Sequence, residues 1–444
     1  MSVAAAKQQA AGEVVIAGWV RNLRAHKGLV FVDLTDLSGT MQVVFVANNN
    51  SDNNNNNDNK NNDSYDLATK LNLESVIEVT GTLQAKPIKK GAIDATPDFE
   101  LLATGAKLIS AADENLPIPV LDKADNEANL DNRLDWRWLD LRRPENQLIF
   151  KTWSKLEEGF RDYFRQNNFL QIYTPCLMST ASETGSEVFE VKYFERKAYL
   201  SQSPQFYKQM AMASGLEKVF IFGPVFRAEP SFTTRHVTEF TGLDFEVSYI
   251  TKLEEIMNIE EDLLITGFAK VQQDLGLELA VPTKPFPKIT LAEAKQKLAA
   301  AGIKSEKDFD FSTEEEKVLG EIIKKENNHD FVFVTDYPIE ARPFYHMYHE
   351  DNPNLTKSFD LLYKGLEITT GAVREHRVEI LEKQAIAKGM NLEELKDYLN
   401  FFRFGCPGHG GAGIGPGRIV MKLLGLNSVK EACFLPRDVK RLNP

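Results

Sequence analysis

The chain has 444 residues, of which 43% are hydrophobic and 26% charged, and its net charge at pH 7 is -12. This length suits about two or three folded domains, and the acidic balance argues against a protein that coats RNA non-specifically. Its cysteines, Cys176, Cys406 and Cys433, are too widely spaced for a disulfide framework or a zinc site and suit a reducing cytosol. Without a signal peptide or a long apolar run, we expect a cytoplasmic chain that is not inserted in a membrane.

Residues 1–110 contain about five short strand patterns separated by turns. An alternating apolar stretch is followed by four further apolar runs, at residues 13–20, 29–34, 41–46, 76–83 and 99–103. Short strands in this number predict an OB-fold β-barrel.

Two stretches without periodicity interrupt and follow the barrel. Residues 48–63 are nearly all Asn and Asp, and because such a tract cannot bury apolar surface it predicts a disordered inserted loop. Residues 111–130, rich in Pro, Asp and Asn, predict a hinge. In the larger part that follows, residues 131–444, helices alternate with strands that form antiparallel hairpins. A small inserted or appended segment is expected at 281–335, with helices over 291–300 and 313–326.

A cationic cluster follows Phe226. Arg227 offers a planar, charged fork that can grip a carboxylate and a phosphate oxygen together. Arg235 and His236 lie on a polar, turn-prone segment from which they can reach outer phosphates, and Phe240 can stack on a base. The cluster favours a nucleoside triphosphate site. Taken alone, the pattern Arg-x-Glu formed by Arg227 and Glu229 is more typical of a surface ion-pair network on a hairpin.

Two acidic residues, Asp360 and Glu367, lie seven positions apart with Lys364-Gly365 between them. A hairpin through this dipeptide would bring the two carboxylates side by side on neighbouring strands. Such a pair favours a hard cation such as Mg²⁺, shared with substrate phosphates. Two surface acids near a turn would give the same pattern.

Residues 408–418, GHGGAGIGPGR, place glycines at alternate positions 411, 413, 415 and 417 before an apolar stretch headed by Arg418. Glycine inside a strand usually marks a close approach to the backbone. We expect one strand on which a flat ligand lies, then a helix whose Arg418 covers the other face of that ligand. The alternative is a flexible glycine loop, which the strict alternation disfavours.

These three segments resemble motifs 2 and 3 of the class II aminoacyl-tRNA synthetases, with the metal-binding strand between them. Residues 168–175, NFLQIYTP, follow a helix predicted over 146–166 and resemble motif 1. Residues 202–209, QSPQFYKQ, and 374–377, REHR, resemble the aspartate-specific members. The overall length, the C-terminal residues 434–442 and the lack of a large insert resemble the archaeal and eukaryotic type. The resemblance covers nearly the whole chain. It implies an α+β fold: an N-terminal OB-fold barrel and a catalytic domain with a mainly antiparallel sheet flanked by helices.

The resemblance also implies a ligase that joins L-aspartate to ATP, releases pyrophosphate and transfers the aspartyl group to tRNA(Asp), with Mg²⁺ as cofactor. Three residues would be catalytic: Arg227, Glu367 and Arg418. The metal would be held by Asp360, Glu367 and Thr370. The ATP-binding set would be Arg227, Glu229, Arg235, His236, Val237, Phe240, Asp360, Glu367, Gly415, Pro416, Gly417 and Arg418.

The implied aspartate-binding set is Glu183, Gln205, Lys208, Arg227, Asp244, Thr370 and Arg374. Lys208 and Arg374 supply two cations for the side-chain carboxylate of the substrate, and because a buried carboxylate is costly unless paired, this pocket favours Asp over Asn. Glu183 resembles the acid of a mobile loop. Two positions depart from the family pattern: Thr370 stands where Ser is frequent, and Pro416-Gly417 replaces a larger or acidic residue.

For the N-terminal domain, the resemblance implies anticodon binding through Phe31 and Gln42, with His26 and Lys86 nearby. A core position for Phe31 is equally compatible with the sequence. Motif 1 implies a homodimer. His26 favours acceptance of tRNA(Asn) as well as tRNA(Asp), whereas Lys86 favours discrimination between them.

Two alternatives remain. An asparagine-specific enzyme shares the fold but should lack the Lys208 and Arg374 pair. A non-catalytic RNA-binding paralogue should have lost Arg227, Asp360, Glu367 or Arg418, all of which are present.

Overall fold

A computed structural model describes residues 1–9, 11–47, 63–86, 98–120, 128–180, 188–230 and 233–444. The chain divides into two compact units, Met1–Arg143 and Pro144–Pro444. The predicted Asn-rich loop lies outside the described residues, except Asp63, which belongs to a helix over residues 63–68.

The first unit contains a closed five-stranded barrel with strand order β1-β2-β3-β5-β4. Its strands are β1 Gly12–His26, β2 Leu29–Asp36, β3 Gly39–Val46, β4 Val76–Ala85 and β5 Phe99–Ser110. Its helices are α1 Val3–Gln9, α2 over residues 63–68, α3 Leu130–Asp135 and α4 Arg137–Asp140. Apolar side chains at alternate positions, such as Val14 and Ile16 on β1, fill the barrel, while Val15 between them is exposed. This alternation explains why the sequence predicts the barrel correctly.

The second unit is built on an eight-stranded sheet, which is antiparallel except for one parallel pair at each edge. The strand order is β12-β13-β14-β15-β16-β11-β10-β6. The strands are β6 Leu170–Gln171, β10 Lys218–Phe226, β11 Glu239–Ser248, β12 Lys288–Thr290, β13 Phe331–Thr335, β14 Ser358–Tyr363, β15 Glu367–Arg374 and β16 His409–Ile414. A separate small sheet has the order β7-β9-β8, from Leu177–Met178, Arg196–Leu200 and Glu190–Tyr193. The predicted mainly antiparallel sheet is confirmed.

Two long helices, α5 Pro144–Gln166 and α7 Leu253–Leu275, pack on each other beside the sheet. They cross at Gly159 and Gly267, where a Cβ on Gly159 would lie 2.8 Å from the Gly267 Cα. The remaining helices are α6 Gln205–Ala213, α8 Leu291–Ala300, α9 Thr313–Asn327, α10 Val378–Ala387, α11 Lys396–Asn400 and α12 Pro416–Leu424, with 3₁₀ turns at Ile339–Ala341 and Val429–Ala432.

The segment 281–335 contains the two predicted helices, as α8 and α9, and adds β12 and β13 to one edge of the main sheet. Among the residues that the structure describes, no helix is long and apolar enough to cross a membrane.

Candidate active site

A cavity of about 890 Å³ lies over β10, β11, β15 and β16. Most of the site residues predicted for the catalytic part line it, namely Gln205, Lys208, Arg227, Glu229, Arg235, His236, Val237, Phe240, Asp244, Glu367, Thr370, Arg374, Gly415, Gly417 and Arg418. Asp360 and Pro416 are not among its lining residues; Asp360 is 6% exposed behind the wall and Pro416 is the first residue of α12. Glu183 lies outside the described residues.

Lys208 is fully buried on α6 and is surrounded by acceptors. Its Nζ lies 2.7 Å from Asp244 Oδ2, 3.1 Å from the Ala412 carbonyl oxygen and 3.3 Å from Glu246 Oε2. Because an unpaired buried ammonium is unstable, these contacts offset the cost of burying Lys208 and fix its position.

Arg374, at the end of β15, is held on three sides. Its Nε donates to Glu246 Oε1 at 3.1 Å, Nη1 to His346 Nε2 at 3.0 Å and Nη2 to the Gly411 carbonyl at 3.0 Å. Each Nη nitrogen carries two N–H groups, so among described residues one N–H on each Nη is left for a ligand. Because arginine can only donate, His346 Nε2 must accept, and His346 is neutral.

Glu246 is the counter-ion that both cations share, and the sequence prediction missed it. Burial opposes its ionisation, but the neighbouring Arg374 and Lys208 outweigh burial and lower the pKa of Glu246. The predicted doubly cationic pocket is therefore incomplete, because two carboxylates, Asp244 and Glu246, already face the two cations. Their alternate positions on β11 place both on one face of that strand, a signal that the sequence did contain.

The predicted glycine strand is correct only in part. Strand β16 ends at Ile414, Gly415 precedes α12 as its cap and Gly417 lies inside that helix. At Gly411, a Cβ would lie 2.0 Å from the Phe245 carbonyl oxygen and 2.4 Å from Glu246 Oε2. The close neighbours of Gly411 are thus the backbone of the adjacent strand β11 and the Glu246 carboxylate, not a bound ligand. Arg418 is in the first turn of α12, as predicted.

The cationic cluster after β10 borders the same cavity. The guanidinium carbon of Arg227 lies 5.4 Å from the centre of the Phe240 ring. Arg235 Nη1 donates to Glu316 Oε1 at 2.6 Å. Burial, together with Arg418, Arg235 and Arg227, lowers the pKa of His236 to about 4. His236 is therefore neutral at pH 7.

The two predicted metal-binding carboxylates are near each other but are not side by side. Asp360 is opposite Thr370 and Glu367 is opposite Leu362, because the pairing shifts register between Leu361 and Leu362. The Thr370 hydroxyl joins them, at 2.8 Å from Asp360 Oδ1 and 3.4 Å from Glu367 Oε1.

The charges around this pair are only partly balanced. Arg342 Nη2 lies 2.8 Å from Asp360 Oδ2, and Arg418 Nη1 lies 3.6 Å from Glu367 Oε1. Burial, and then the nearby Asp360, raise the pKa of Glu367 to about 7. The two carboxylates and the Thr370 hydroxyl cluster oxygen donors at one place, and a hard divalent cation there would favour the ionised form of Glu367. Among described residues, no group of three or more His, Cys, Asp or Glu side chains could form a metal cage.

Arg342, His346 and Glu316 are further residues that sequence reasoning missed. Arg342 and His346 lie between β13 and β14 in a segment without regular periodicity, and Glu316 lies on α9, 51 residues before its partner Glu367. Only the fold brings Arg342 and His346 to the cavity wall and Glu316 behind it, against Arg235 and Glu367.

On the barrel, Phe31 and Gln42 lie near each other on one outer face. Phe31 pairs with Arg24 and Val44, and Gln42 pairs with Asp33, two residues along β2. Phe31 is half-buried outside the barrel core, so its core alternative is wrong. The Gln42 amide donates to Glu100 at 2.8 Å.

The two other anticodon candidates are also at the barrel surface. His26 is exposed at the end of β1, on the same face as Arg24. Lys86 follows β4, and its ammonium lies 2.6 Å from Asp98 Oδ2. That hydrogen bond is the largest of the effects that lower the pKa of Asp98 to about 2.

Comparison with known families agrees with this architecture. Residues 129–439 match the family described as tRNA synthetases class II (D, K and N), and residues 14–109 match the OB-fold nucleic acid binding domain. The chain belongs to the class II tRNA synthetases of the D, K and N group, with an OB-fold domain before the synthetase domain.

The relatives include enzymes of two tRNA specificities. The chain is 38% identical to the Aspartate--tRNA(Asp/Asn) ligase of Aeropyrum pernix, over 100% of this chain and 98% of that protein. It is 39% identical to the Aspartate--tRNA(Asp) ligase of Pyrococcus abyssi, over 97% of this chain and 96% of that protein.

A solved structure of an asparagine enzyme is also similar. The asparaginyl-tRNA synthetase from Pyrococcus horikoshii, complexed with asparaginyl-adenylate, aligns with a TM-score of 0.88 and 29% identity, over 100% of this chain and 99% of that one. The shared fold does not separate Asp from Asn, so the specificity must depend on the pocket side chains.

Proposed function

We propose that the chain is a ligase that activates L-aspartate with ATP and transfers it to the 3′ end of tRNA(Asp). The observation that carries this proposal is the ion cluster of Lys208, Arg374, Asp244 and Glu246 in the cavity wall. In it, Arg374 keeps one N–H on each Nη nitrogen for a planar acceptor pair, and Lys208 is held nearby.

This arrangement suits a carboxylate better than an amide. The side-chain carboxylate of aspartate offers two acceptors to the two remaining Arg374 donors, which is bidentate recognition. The amide of asparagine would turn an NH₂ group toward one of these donors, and a buried donor without an acceptor is costly. Asp244 and Gln205 are suited to the α-amino end, with Thr370 beside them. Glu183 would contribute as the family resemblance implies.

Activation needs no nucleophilic side chain, because the α-carboxylate of aspartate attacks the α-phosphorus of ATP. A bond forms between carboxylate oxygen and phosphorus, the bond to the bridging oxygen breaks, and pyrophosphate leaves. The protein contributes positioning and charge stabilisation. Arg227 would bridge the carboxylate and the α-phosphate. In the second step, a hydroxyl of the terminal tRNA ribose attacks the adenylate carbonyl and AMP leaves.

The rest of the ATP would lie along the cationic cluster. Arg235 and His236 would hold the outer phosphates, with neutral His236 as a hydrogen-bond donor. Phe240 and Arg418 would enclose adenine, and Glu229, Val237 and residues 415–417 would complete the pocket.

Asp360, Glu367 and Thr370 would hold Mg²⁺, which would neutralise phosphate charge. We expect Glu367→Gln to lower ATP–pyrophosphate exchange by about 100-fold, because a weakened ligand loses several kcal/mol of charge stabilisation. A Mg²⁺ titration checks this, and near-wild-type exchange throughout would remove Glu367 from the ligand set.

The remaining parts follow the family assignment. Residues 1–110 would bind the anticodon through Phe31 and Gln42, 111–130 would act as the hinge, and 131–444 would form the catalytic domain, with 281–335 as a segment within it. The motif 1 stretch would form a homodimer interface, and its side chains Leu170 and Tyr173 are exposed on the single chain at 52% and 82%. The enzyme would act in the cytoplasm.

The direct test is Mg²⁺-dependent ATP–pyrophosphate exchange with L-aspartate and with L-asparagine in parallel. We expect exchange with aspartate and at most weak exchange with asparagine. Preference for asparagine would assign the asparagine-specific alternative, and no exchange with either would favour a non-catalytic RNA-binding paralogue.

A second candidate activity is the charging of tRNA(Asn) with aspartate. It is favoured by the relative from Aeropyrum pernix, named for both tRNAs, and by exposed His26 on the same barrel face as Phe31. Charging both tRNAs under equal conditions distinguishes a relaxed enzyme from a discriminating one.

A further inference from the structure

Helix α9 of the segment 281–335 contacts two cavity-lining residues, Arg235 and Glu367, through the side chain of Glu316. This carboxylate is buried, at 4% exposure, whereas Glu314 and Lys317 beside it are exposed. Burying a carboxylate is costly unless partners compensate, so the contacts of Glu316 indicate what the helix does at this place.

Glu316 joins two parts of the proposed ATP site. Its Oε1 accepts from Arg235 Nη1 at 2.6 Å, and its Oε2 accepts from the backbone N–H of Glu367 at 2.9 Å. One carboxylate therefore connects the loop that carries Arg235 to the first residue of β15.

The close fit of α9 on the hairpin fixes this connection. A Cβ on Gly320 would lie 2.6 Å from the Gly365 Cα, and a Cβ on Gly365 would lie 2.8 Å from the Lys317 Cα. Gly365 also has a φ of +67°, which favours glycine. The turn between β14 and β15 thus packs directly against the helix turn that carries Glu316.

We propose that Glu316 is a positioning residue for ATP, which aims Arg235 into the cavity and fixes the start of β15. This inference rests on the proposed function. Arg235 Nε has no hydrogen-bond partner in the described part of the chain, so a donor remains for a phosphate while Nη1 stays on Glu316. Without Glu316, the long arginine side chain would lose this fixed orientation, and ordering it would oppose ATP binding.

The opposite role is a lock, in which Glu316 competes with ATP for Arg235. The two roles predict changes of opposite sign in the KM for ATP when the carboxylate is removed. The backbone contact to Glu367 favours positioning, because a lock on Arg235 alone would not need it.

The experiment compares Glu316→Gln with Glu315→Gln, using ATP–pyrophosphate exchange with aspartate and thermal unfolding. Glu315 is the matched control, since it is buried on the same helix turn but pairs with Lys295 at 2.7 Å. We expect Glu316→Gln to raise the KM for ATP by about 10- to 100-fold, as for loss of a charge-assisted hydrogen bond, with the KM for aspartate nearly unchanged. Glu315→Gln should lower Tm and leave both KM values unchanged.

A double-mutant cycle identifies the partner. Arg235→Ala should raise the KM for ATP, and adding Glu316→Gln should raise it by clearly less than the product of the two single effects. If Glu316→Gln does not fold, Glu316→Asp replaces it, because it keeps the charge but withdraws the carboxylate; the same direction of change is expected.

An unchanged or lower KM for ATP in the folded variant would overturn the positioning role, as would fully multiplicative effects in the cycle. These outcomes require an active wild type. A wild-type chain without aspartate-dependent exchange would instead contradict the proposed function itself.

Discussion

The cavity and the outer face of the barrel use charge in different ways. In the cavity, Lys208 and Arg374 are almost completely buried and are fixed by Asp244 and Glu246. On the barrel, Arg24 and His26 are exposed, and Phe31 is half-buried beside them. The first region is organised before any ligand arrives, whereas the second presents side chains that remain in water until something covers them.

This difference determines how each region can select a ligand. Buried, paired ions discriminate strongly, because a ligand of the wrong polarity leaves a buried charge or donor without a partner. An exposed aromatic contributes stacking, which adds affinity with little dependence on base identity. We therefore expect large effects on aspartate use from changes in the cavity and smaller effects on tRNA use from changes on the barrel.

Lys208→Ala should have the largest effect. It leaves Asp244 and Glu246 with one cation fewer, and breaking a buried ion pair typically costs about 3–5 kcal/mol. We expect a large rise in the KM for aspartate and a smaller change in the KM for ATP, measured by pyrophosphate exchange. Lys295→Ala, which removes the partner of Glu315 outside the cavity, is the control and should reduce stability only. An unchanged aspartate dependence would remove Lys208 from the pocket.

Glu260 on α7 differs from the paired, buried ions of the cavity. It is fully buried, and neither carboxyl oxygen makes a hydrogen bond of ordinary geometry to any residue described in the structure. Burial raises the pKa of Glu260 to about 8, with a smaller increase from Glu261 and Asp360 that the Thr369 hydroxyl opposes. The side chain is therefore largely protonated at pH 7.

The sign of the resulting pH dependence is fixed by this shift. The folded pKa lies above the ordinary value of 4.5, so the folded state keeps a proton that the unfolded state releases. The contribution of the protonated carboxyl to the stability of the folded state is complete below pH 4.5 and is lost as the pH rises through 8.

Glu260→Gln removes this pH dependence. The free energy of unfolding of the variant, relative to that of wild type, should therefore rise by roughly 3 kcal/mol between pH 5 and pH 8. Urea unfolding at the two pH values measures it. Glu261→Gln is the control, because Glu261 accepts a hydrogen bond from the Phe286 N–H at 2.7 Å. This variant should not have a higher free energy of unfolding than wild type at pH 8. Equal pH profiles for Glu260→Gln and wild type would mean that Glu260 is ionised in the folded protein.

The sequence predicts those features that repeat or that carry unusual residue types. Alternation on β1 to β5 predicts the barrel, and charge within short motifs makes Arg227, Asp360 and Arg418 candidate site residues. Alternating glycines do not mark where β16 ends, because glycine has no side chain that distinguishes strand from helix start. Arg342, His346 and Glu316 depend on contacts between distant segments, which no local pattern encodes.

Phe31→Ala tests the barrel face alone. Loss of one stacking aromatic should weaken tRNA charging by about 1–3 kcal/mol, while pyrophosphate exchange, which needs no tRNA, should not change. Val15→Ala, also on the outside of the barrel, is the matched control and should leave charging unaffected. If Phe31→Ala charges tRNA as wild type does, this face does not bind the anticodon.

His26 should give the smallest effect and the finest test of the barrel face. Its exposed side chain lies at the end of β1, on the face that carries Arg24, and an exposed polar contact contributes about 0.5–1.5 kcal/mol at most. We expect wild type to aspartylate tRNA(Asn) measurably and His26→Ala to change the ratio of tRNA(Asn) to tRNA(Asp) charging by about two- to tenfold. Lys86→Ala is the comparison, because Lys86 is engaged with Asp98. A ratio that moves with Lys86 but not with His26 would assign tRNA discrimination to the region of Lys86, and His26 would then be a surface residue without a role in it.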